Sequence, residues 1–194
     1  MAYQTYTTEA IVCGSFASKT ADKSYMLFTR DAGMVYATAR SVREERSRQR
    51  YALQDFSLVS VSLIKGKSGW RIGSVEAIRN YFLESALRAV RTSVFKQVRL
   101  LRRYVQGETP DSALYAEVKQ QLDTLVSPVL SNRLVVEQVA HTRLLHHLGY
   151  IALAQPLSSL VNGSFSEVLP KLTQVALSKK LALAISQADT VSHL

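Results

Sequence analysis

The 194-residue chain has a single cysteine, Cys13, four prolines and eight glycines, and its 15 acidic residues are outnumbered by 24 basic ones. Each shortage excludes something. One thiol cannot close an intramolecular disulfide or a four-cysteine zinc module, and a chain without disulfides suits a reducing cytoplasm. No apolar run approaches the roughly eighteen residues that a spanning helix needs, so no transmembrane segment is expected. The opening "MAYQTYTTEAIV" has no positive stretch followed by an apolar one and does not read as a signal peptide. There is no glycine-rich phosphate loop, no paired-carboxylate motif and no nucleophile elbow, so no catalytic residue and no ATP site are expected. The shortage of acid leaves a net charge of +9. A field of that sign favours an anionic partner, either nucleic acid or an acidic membrane surface, without separating the two. With 47% hydrophobic and 20% charged residues the composition is that of a folded globular protein.

Hydrophobic period divides the chain. From Thr8 to about Ile78 it is short and mostly two-residue. In "EAIVCGSF" (9–16), Ile11 and Cys13 alternate against Ala10, Val12 and Phe16. "SYMLFTRDAGMVYATAR" (24–40) reads as a hairpin turning at Gly33. Val35, Ala37 and Ala39 then lie on one face, and Tyr36, Thr38 and Arg40 on the other. "SRQRYALQ" (47–54) suits a short helix, and "FSLVSVSLIKGKSGWRIGSVEAI" (56–78) a second hairpin with Val59, Val61 and Leu63 inward. Trp70 reads as core and Cys13 as a buried small hydrophobe. Five short strands with one helix between the third and fourth suit a small barrel of the OB type, though another small barrel or an open sheet has the same order.

From Tyr81 onward the period is helical. "FLESALRAVRTSVFKQVRLLRRYVQG" (82–107) predicts a helix ending at Gly107. Thr109 and Pro110 read as the cap and first-turn proline of a second helix that stops before Pro128. Residues 132–150 predict a third helix and residues 171–186 a fourth. The expected fold is α+β: an N-terminal five-stranded OB-fold barrel over residues 1–80, then an all-helical domain over 81–194.

Two basic clusters stand out. "ARSVREERSRQR" (39–50) packs Arg40, Arg43, Arg46, Arg48 and Arg50 beside Glu44 and Glu45. A charge run of this kind is commonly a solvated loop, but it leaves a barrel strand beside Tyr36, where a stacking aromatic next to phosphate-binding guanidiniums suits a single strand. Lys65 and Lys67 of the second hairpin turn, with Arg71, join the candidate set. On the 82–107 helix, at roughly 100° per residue, Arg88, Arg91, Lys96, Arg99, Arg102 and Arg103 share one face, opposite Leu87, Val90, Val94, Val98 and Leu101. This face could extend a DNA path, capture an acidic peptide, or simply be solvated. His141, His146 and His147, at spacings of five and six, do not line up as metal ligands and read as solvent-facing or capping residues. No cofactor is expected.

Taken in order, "TEAIV" (8–12), Asp22, "LFTRDAG" (27–33), "YATARSVR" (36–43), "LQDFSLVSVSLIKGKSG" (53–69) and "SVEAI" (74–78) resemble the RecO family of recombination mediators, with a weaker likeness through "PDSALYAEV" (110–118) and "LLHHLGY" (144–150). The chain departs from the family at three places. Many members carry a four-cysteine zinc module after the position of "LGY", which a chain with only Cys13 cannot build. Asp55 stands where a proline is common, and Ser41 where a glycine is. The resemblance implies an OB barrel followed by helices, and a non-enzymatic, cytoplasmic, nucleoid-associated DNA-repair protein of bacterial type. Such a protein binds single- and double-stranded DNA, anneals complementary strands and helps load a recombinase on DNA coated by single-strand-binding protein. A RecR-like protein and the single-strand-binding protein's tail are the implied partners. A protein-interaction scaffold and an OB-fold RNA-binding protein remain as rival readings.

Overall fold

The computed structural model describes residues 4–153 apart from 19, 68 and 128–132, together with 158, 182, 183, 185 and 186. The predicted 171–186 helix and the Ser/Gly-containing connections after Pro156 lie largely outside the described residues.

Five strands form a closed barrel: β1 (Gln4–Ala17), β2 (Lys23–Thr29), β3 (Gly33–Ala39), β4 (Ser57–Gly66) and β5 (Gly69–Asn80), in the order β1-β2-β3-β5-β4. A short helix, α1 (Gln49–Ala52), lies between β3 and β4, and its Gln49 amide donates to the Gly73 carbonyl of β5 at 2.9 Å. β1 is long because it serves two neighbours, pairing with β4 over residues 4–11 and with β2 over 10–17. The barrel closes through a parallel contact, Ala37 opposite Trp70 and Thr38 opposite Arg71.

Alternation places Ala10, Val12, Tyr25, Leu27, Val35, Ala37, Ala39, Val59, Val61, Leu63 and Trp70 inside the barrel. The opposite faces of the same strands are also apolar in part. Ile11, Cys13, Phe28, Met34 and Leu58 face outward into a second core shared with the helices. This is why the run around Tyr25, Met26 and Phe28 shows no polar face in the sequence: Tyr25 packs inward, Phe28 and Met26 toward the helices. A bulge between Val12 and Gly14 breaks the alternation of β1. The extra residue inverts the parity beyond it, so Phe16 is exposed on the outer face rather than aligned with Ala10 and Val12.

The helices are α2 (Arg88–Tyr104), α3 (Ser112–Val126) and α4 (Arg133–His147). Three details differ from expectation. α2 starts at Arg88, not near Phe82, because the Asn80 side-chain oxygen accepts from the Phe82 and Leu83 N–H groups at 3.0 and 2.9 Å and holds them in a turn. Leu87, in extended backbone before the helix, is 61% exposed instead of packing with Val90, Val94, Val98 and Leu101, which are buried. The cap of α3 is Asp111, which accepts from Leu114 N–H at 2.8 Å, while Thr109 and Pro110 precede it. Thr109 has another role: its backbone lies so close to Gly33 that a Cβ there would meet its oxygen at 2.4 Å. Gly33 is thus required by its φ of +68° and by this approach, reinforced by Met34 N–H donating to Gly107 O at 3.0 Å.

Candidate nucleic-acid interface

The sheet's outer face gathers candidates that lie far apart in sequence. Phe16 is opposite Ser24, Ser24 opposite Thr38, and Thr38 opposite Arg71, so these four form one transverse row across β1, β2, β3 and β5. Ser24 and Thr38 hydroxyls are hydrogen-bonded at 3.2 Å, as a shared face requires. Tyr36, 54% exposed, flanks the row and stands 6.0 Å from the Phe16 ring, centroid to centroid, with the planes at 50°. Arg40 leaves the end of β3 on the same side and is exposed. Two exposed rings and two guanidiniums thus share one pleated surface, the combination on which bases can stack with phosphates at the margin.

The adjoining loop is built, not loose. Val42 inserts into the barrel core, Ser41 N–H donates to Asp22 Oδ1 at 2.9 Å, and Arg43 N–H donates to Ala21 O at 3.0 Å. Ser41 reaches this geometry with a φ of +50°, a conformation that favours glycine. Arg43, Arg46, Arg48 and Arg50 are exposed, as are Glu44 and Glu45. Arg50, on α1, turns back onto Tyr51, 2.9 Å from its hydroxyl and 4.9 Å from its ring centroid.

The second hairpin splits. Lys67 is exposed at the turn, whereas Lys65 is paired with Glu108 at 3.0 Å and lies 4.8 Å over the Trp70 ring. The Lys65 hydrogen bond holds the Glu108 carboxyl below the usual range. Trp70 is buried and meets Tyr6 edge-on. Lys65 thus ties the connection after α2 to the barrel end, one register position from the pair Ile64–Arg71.

On α2, Arg88, Lys96, Arg99 and Arg102 are exposed, while Arg91 and Arg103 are half-buried. The face is not free of acid in three dimensions: Glu137 of α4 reaches Lys96 at 2.9 Å and also accepts from Ser93. Arg91 donates to Ser85 O at 2.9 Å and lies over Phe82, and Arg103 lies over Tyr104. Among the described residues no carboxylate pairs with Arg88, Arg99, Arg102 or Arg103. Phe95 stands in the middle of this basic face, 47% exposed.

Arg102 reaches across to the barrel, where its guanidinium lies 3.3 Å from the position a Cβ on Gly14 would take. Between α2 and the β1–β2 surface is a groove of about 570 Å³ lined by Met26, Phe56, Phe95, Arg99, Arg102 and Arg103. Phe56 is itself unusual: φ is +70°, fixed because its N–H donates to Val12 O at 2.8 Å and its carbonyl accepts from Tyr81 N–H at 3.2 Å. A bulky residue held there costs on the order of 1–3 kcal/mol, which the surrounding packing must offset. Cys13 closes the floor of the groove, with its thiol pushed up to about 12 by burial.

The histidines occupy structural positions. His147 contacts Asp111 at 2.6 Å and so braces the cap of α3, His146 Nδ1 is 3.1 Å from Ile151 O, and His141 packs against Tyr104. Among the described residues no three of His, Cys, Asp and Glu converge, and no helix is long and apolar enough to cross a membrane.

The family described as Recombination protein O N terminal matches residues 1–81, the whole of the barrel. Over the barrel, then, the chain is similar to the N-terminal domain of recombination protein O. The chain is 29% identical over 120 residues to the DNA repair protein RecO of Rubrobacter xylanophilus, covering 62% of this chain and 48% of that one. With the DNA repair protein RecO of Caldanaerobacter subterraneus subsp. tengcongensis it shares 27% over 121 residues, 62% of this chain and 49% of the relative. The chain spans about half the length of these curated RecO relatives.

Phe16, Phe56 and Phe95 were not legible as residues of the candidate site. Phe16 is hidden by the bulge, Phe56 by a turn that breaks alternation, and Phe95 by standing alone outside the apolar stripe of α2. The available signal for Phe95 was its wheel position, among arginines and opposite the valines.

Proposed function

We propose that this chain is a RecO-type protein, a non-enzymatic DNA-binding protein of recombinational repair. It holds single strands across the outer barrel face and brings strands together by neutralising their charge. The observation that carries this reading is the row Phe16–Ser24–Thr38–Arg71 with Tyr36 and Arg40 beside it. Rings stack on bases of any sequence, and guanidiniums at the margins take phosphates. Arg43, Arg46, Arg48, Arg50 and Lys67 add diffuse attraction for the backbone of single- or double-stranded DNA. Fluorescence anisotropy with short single- and double-stranded DNA at two salt concentrations tests it. With about six phosphates neutralised, log K falls against log salt with a slope near −4 for single strands. A flat salt response removes the DNA reading and leaves a protein-interaction scaffold.

A second surface supports partner binding within the same role. A cavity of about 630 Å³ between α2 and α4 is lined by Arg99, Arg103, His141 and the Lys96–Glu137 ion pair, with apolar Leu100 and Ile185. Arg99 and Arg103, beside apolar Leu100 and Ile185, suit an acidic peptide with a hydrophobic residue, the character expected of a single-strand-binding protein's tail. Titration of such a peptide against the chain and against Arg99→Ala tests this surface, and unchanged affinity in the variant overturns it. Docking of a RecR-like protein belongs to the same proposal, without an assigned surface.

A further inference from the structure

We infer that the groove between α2 and the β1–β2 surface is a pocket for one unpaired nucleotide, in which the strand leaving the barrel face is anchored. The inference rests on the DNA reading above and deepens it by assigning a second, discrete contact.

Three observations carry it. First, the groove continues the stacking face: Met26, on its wall, is the direct cross-strand partner of Tyr36, and Gly14, under Arg102, is the partner of Met26. Neighbouring strands lie about 4.8 Å apart, so a strand running over Phe16 and Tyr36 reaches the groove within a nucleotide or two. Second, the lining has the two chemistries a nucleotide needs. Phe95, Phe56 and Met26 offer an apolar slot for a base, and Arg99 and Arg102, free of carboxylate partners among the described residues, stand at its rim for a phosphate. The Nε of Arg103, a residue that lines this groove and the α2–α4 cavity alike, is buried without a hydrogen-bond partner among the described residues. Asp55, also in the lining, adds a carboxylate acceptor for base N–H groups and repels a purely acidic peptide. Third, the slot is pre-formed. Phe56 is held at positive φ by two backbone hydrogen bonds, its ring stacked 5.3 Å from Phe82 and edge-on to Phe95 at 6.3 Å. The cavity's 570 Å³ falls within the roughly 300–1,000 Å³ of small-ligand sites. A base in a duplex enters such a slot only by leaving its stack, so the pocket selects unpaired strands.

The test uses the full chain and single-stranded oligonucleotides carrying one 2-aminopurine at successive positions. Stacking in the slot gives a fluorescence change confined to one or two positions, absent with the matched duplex. Phe95→Ala abolishes that change and weakens binding by roughly five- to tenfold without altering the salt slope, as loss of one base–aromatic stack does. Arg102→Ala lowers the slope by about 0.7, one phosphate contact. Tyr36→Ala, in contrast, weakens binding but keeps the positional signal at saturating protein. A salt-dependent affinity with no positional signal, or a signal that survives Phe95→Ala, overturns the pocket while leaving the DNA reading intact. No binding at low salt removes the DNA reading itself. An acidic peptide that competes for the groove while oligonucleotides do not assigns it to a protein partner and overturns the inference.

Discussion

The loop at 39–50 and the exposed face of α2 carry nearly the same charge-bearing side chains, yet their surroundings differ. Loop residues Arg43, Arg46 and Arg48 extend into solvent beside Glu44 and Glu45, with only the backbone and Val42 pinned. The α2 arginines stand among rings and on a groove wall: Arg91 over Phe82, Arg103 over Tyr104, and Arg99 and Arg102 beside Phe95 and Phe56. A count of arginines treats the two regions alike. What separates a diffuse attractor from a discrete site is whether an apolar surface stands within reach of the guanidinium, because such a surface adds stacking and restricts the charge to one geometry.

The two faces of α2 give the largest contrast. Leu101, fully buried in the core shared by barrel and helices, is expected to lose about 2–5 kcal/mol on Leu101→Ala. Arg99→Ala on the exposed face should change stability by no more than about 0.5 kcal/mol. Urea denaturation of both variants checks this, and equal losses would mean that the helix does not divide as described.

Loop and barrel face should fail in different ways. The Phe16→Ala, Tyr36→Ala double variant should weaken single-strand binding by about 1–3 kcal/mol per lost stack, with the salt slope retained. The Arg43, Arg46, Arg48→Ala triple variant should instead lower the slope by about two units, at roughly 0.7 per contact. Anisotropy titrations at several salt concentrations separate the two, and a triple variant that binds like the parent would reduce the loop to a solvated charge cluster.

Asp111 provides a smaller effect with a pH signature. Although burial raises its pKa, the Leu114 N–H and the His147 contact outweigh that and hold the carboxyl below its usual range. A depressed carboxylate contributes stability above its ordinary pKa and loses it as pH falls through the folded value. Asp111→Ala should cost about 1 kcal/mol near neutral pH, and the gap in Tm between parent and variant should close as the pH falls below the ordinary carboxylate range. A gap that persists unchanged in acid would assign the loss to packing.

Ser41→Gly should act in the opposite direction. A residue at φ +50° carries left-handed strain that glycine does not, so the variant should gain roughly 0.5–1 kcal/mol, tempered by glycine's larger entropy loss. Its thermal unfolding should shift upward with single-strand affinity unchanged. The smallest effect expected is none: elemental analysis of purified protein should find substoichiometric zinc, and chelator should leave Tm unmoved, since Cys13 is buried and His147 is engaged with Asp111.

Much of this molecule follows from pattern. Alternation at Val35, Ala37 and Ala39, and at Val59, Val61 and Leu63, fixes which side faces the barrel axis, because a pleated strand has no other way to present successive side chains. The glycine at position 33 marks its hairpin, and the valine stripe of α2 marks the side that packs. The candidate interface was legible only as composition. Tyr36, Arg40 and Arg71 could be named as residue types, but their meeting with Phe16 depends on a bulge in β1 and a two-residue parallel closure between β3 and β5. Neither feature leaves a local trace: a bulge is one unpaired residue among apolar ones, and the closing pair joins positions more than thirty residues apart. The groove is more remote still. It exists because Phe56 is held at positive φ by partners from two other segments and because α2 lies across Gly14. By itself the sequence determined the periods, and hence the barrel and the helices, since periodicity is set by the geometry of each element alone. Which aromatic stands beside which arginine was decided by register and docking, whose energies depend on contacts between residues that the chain order keeps apart.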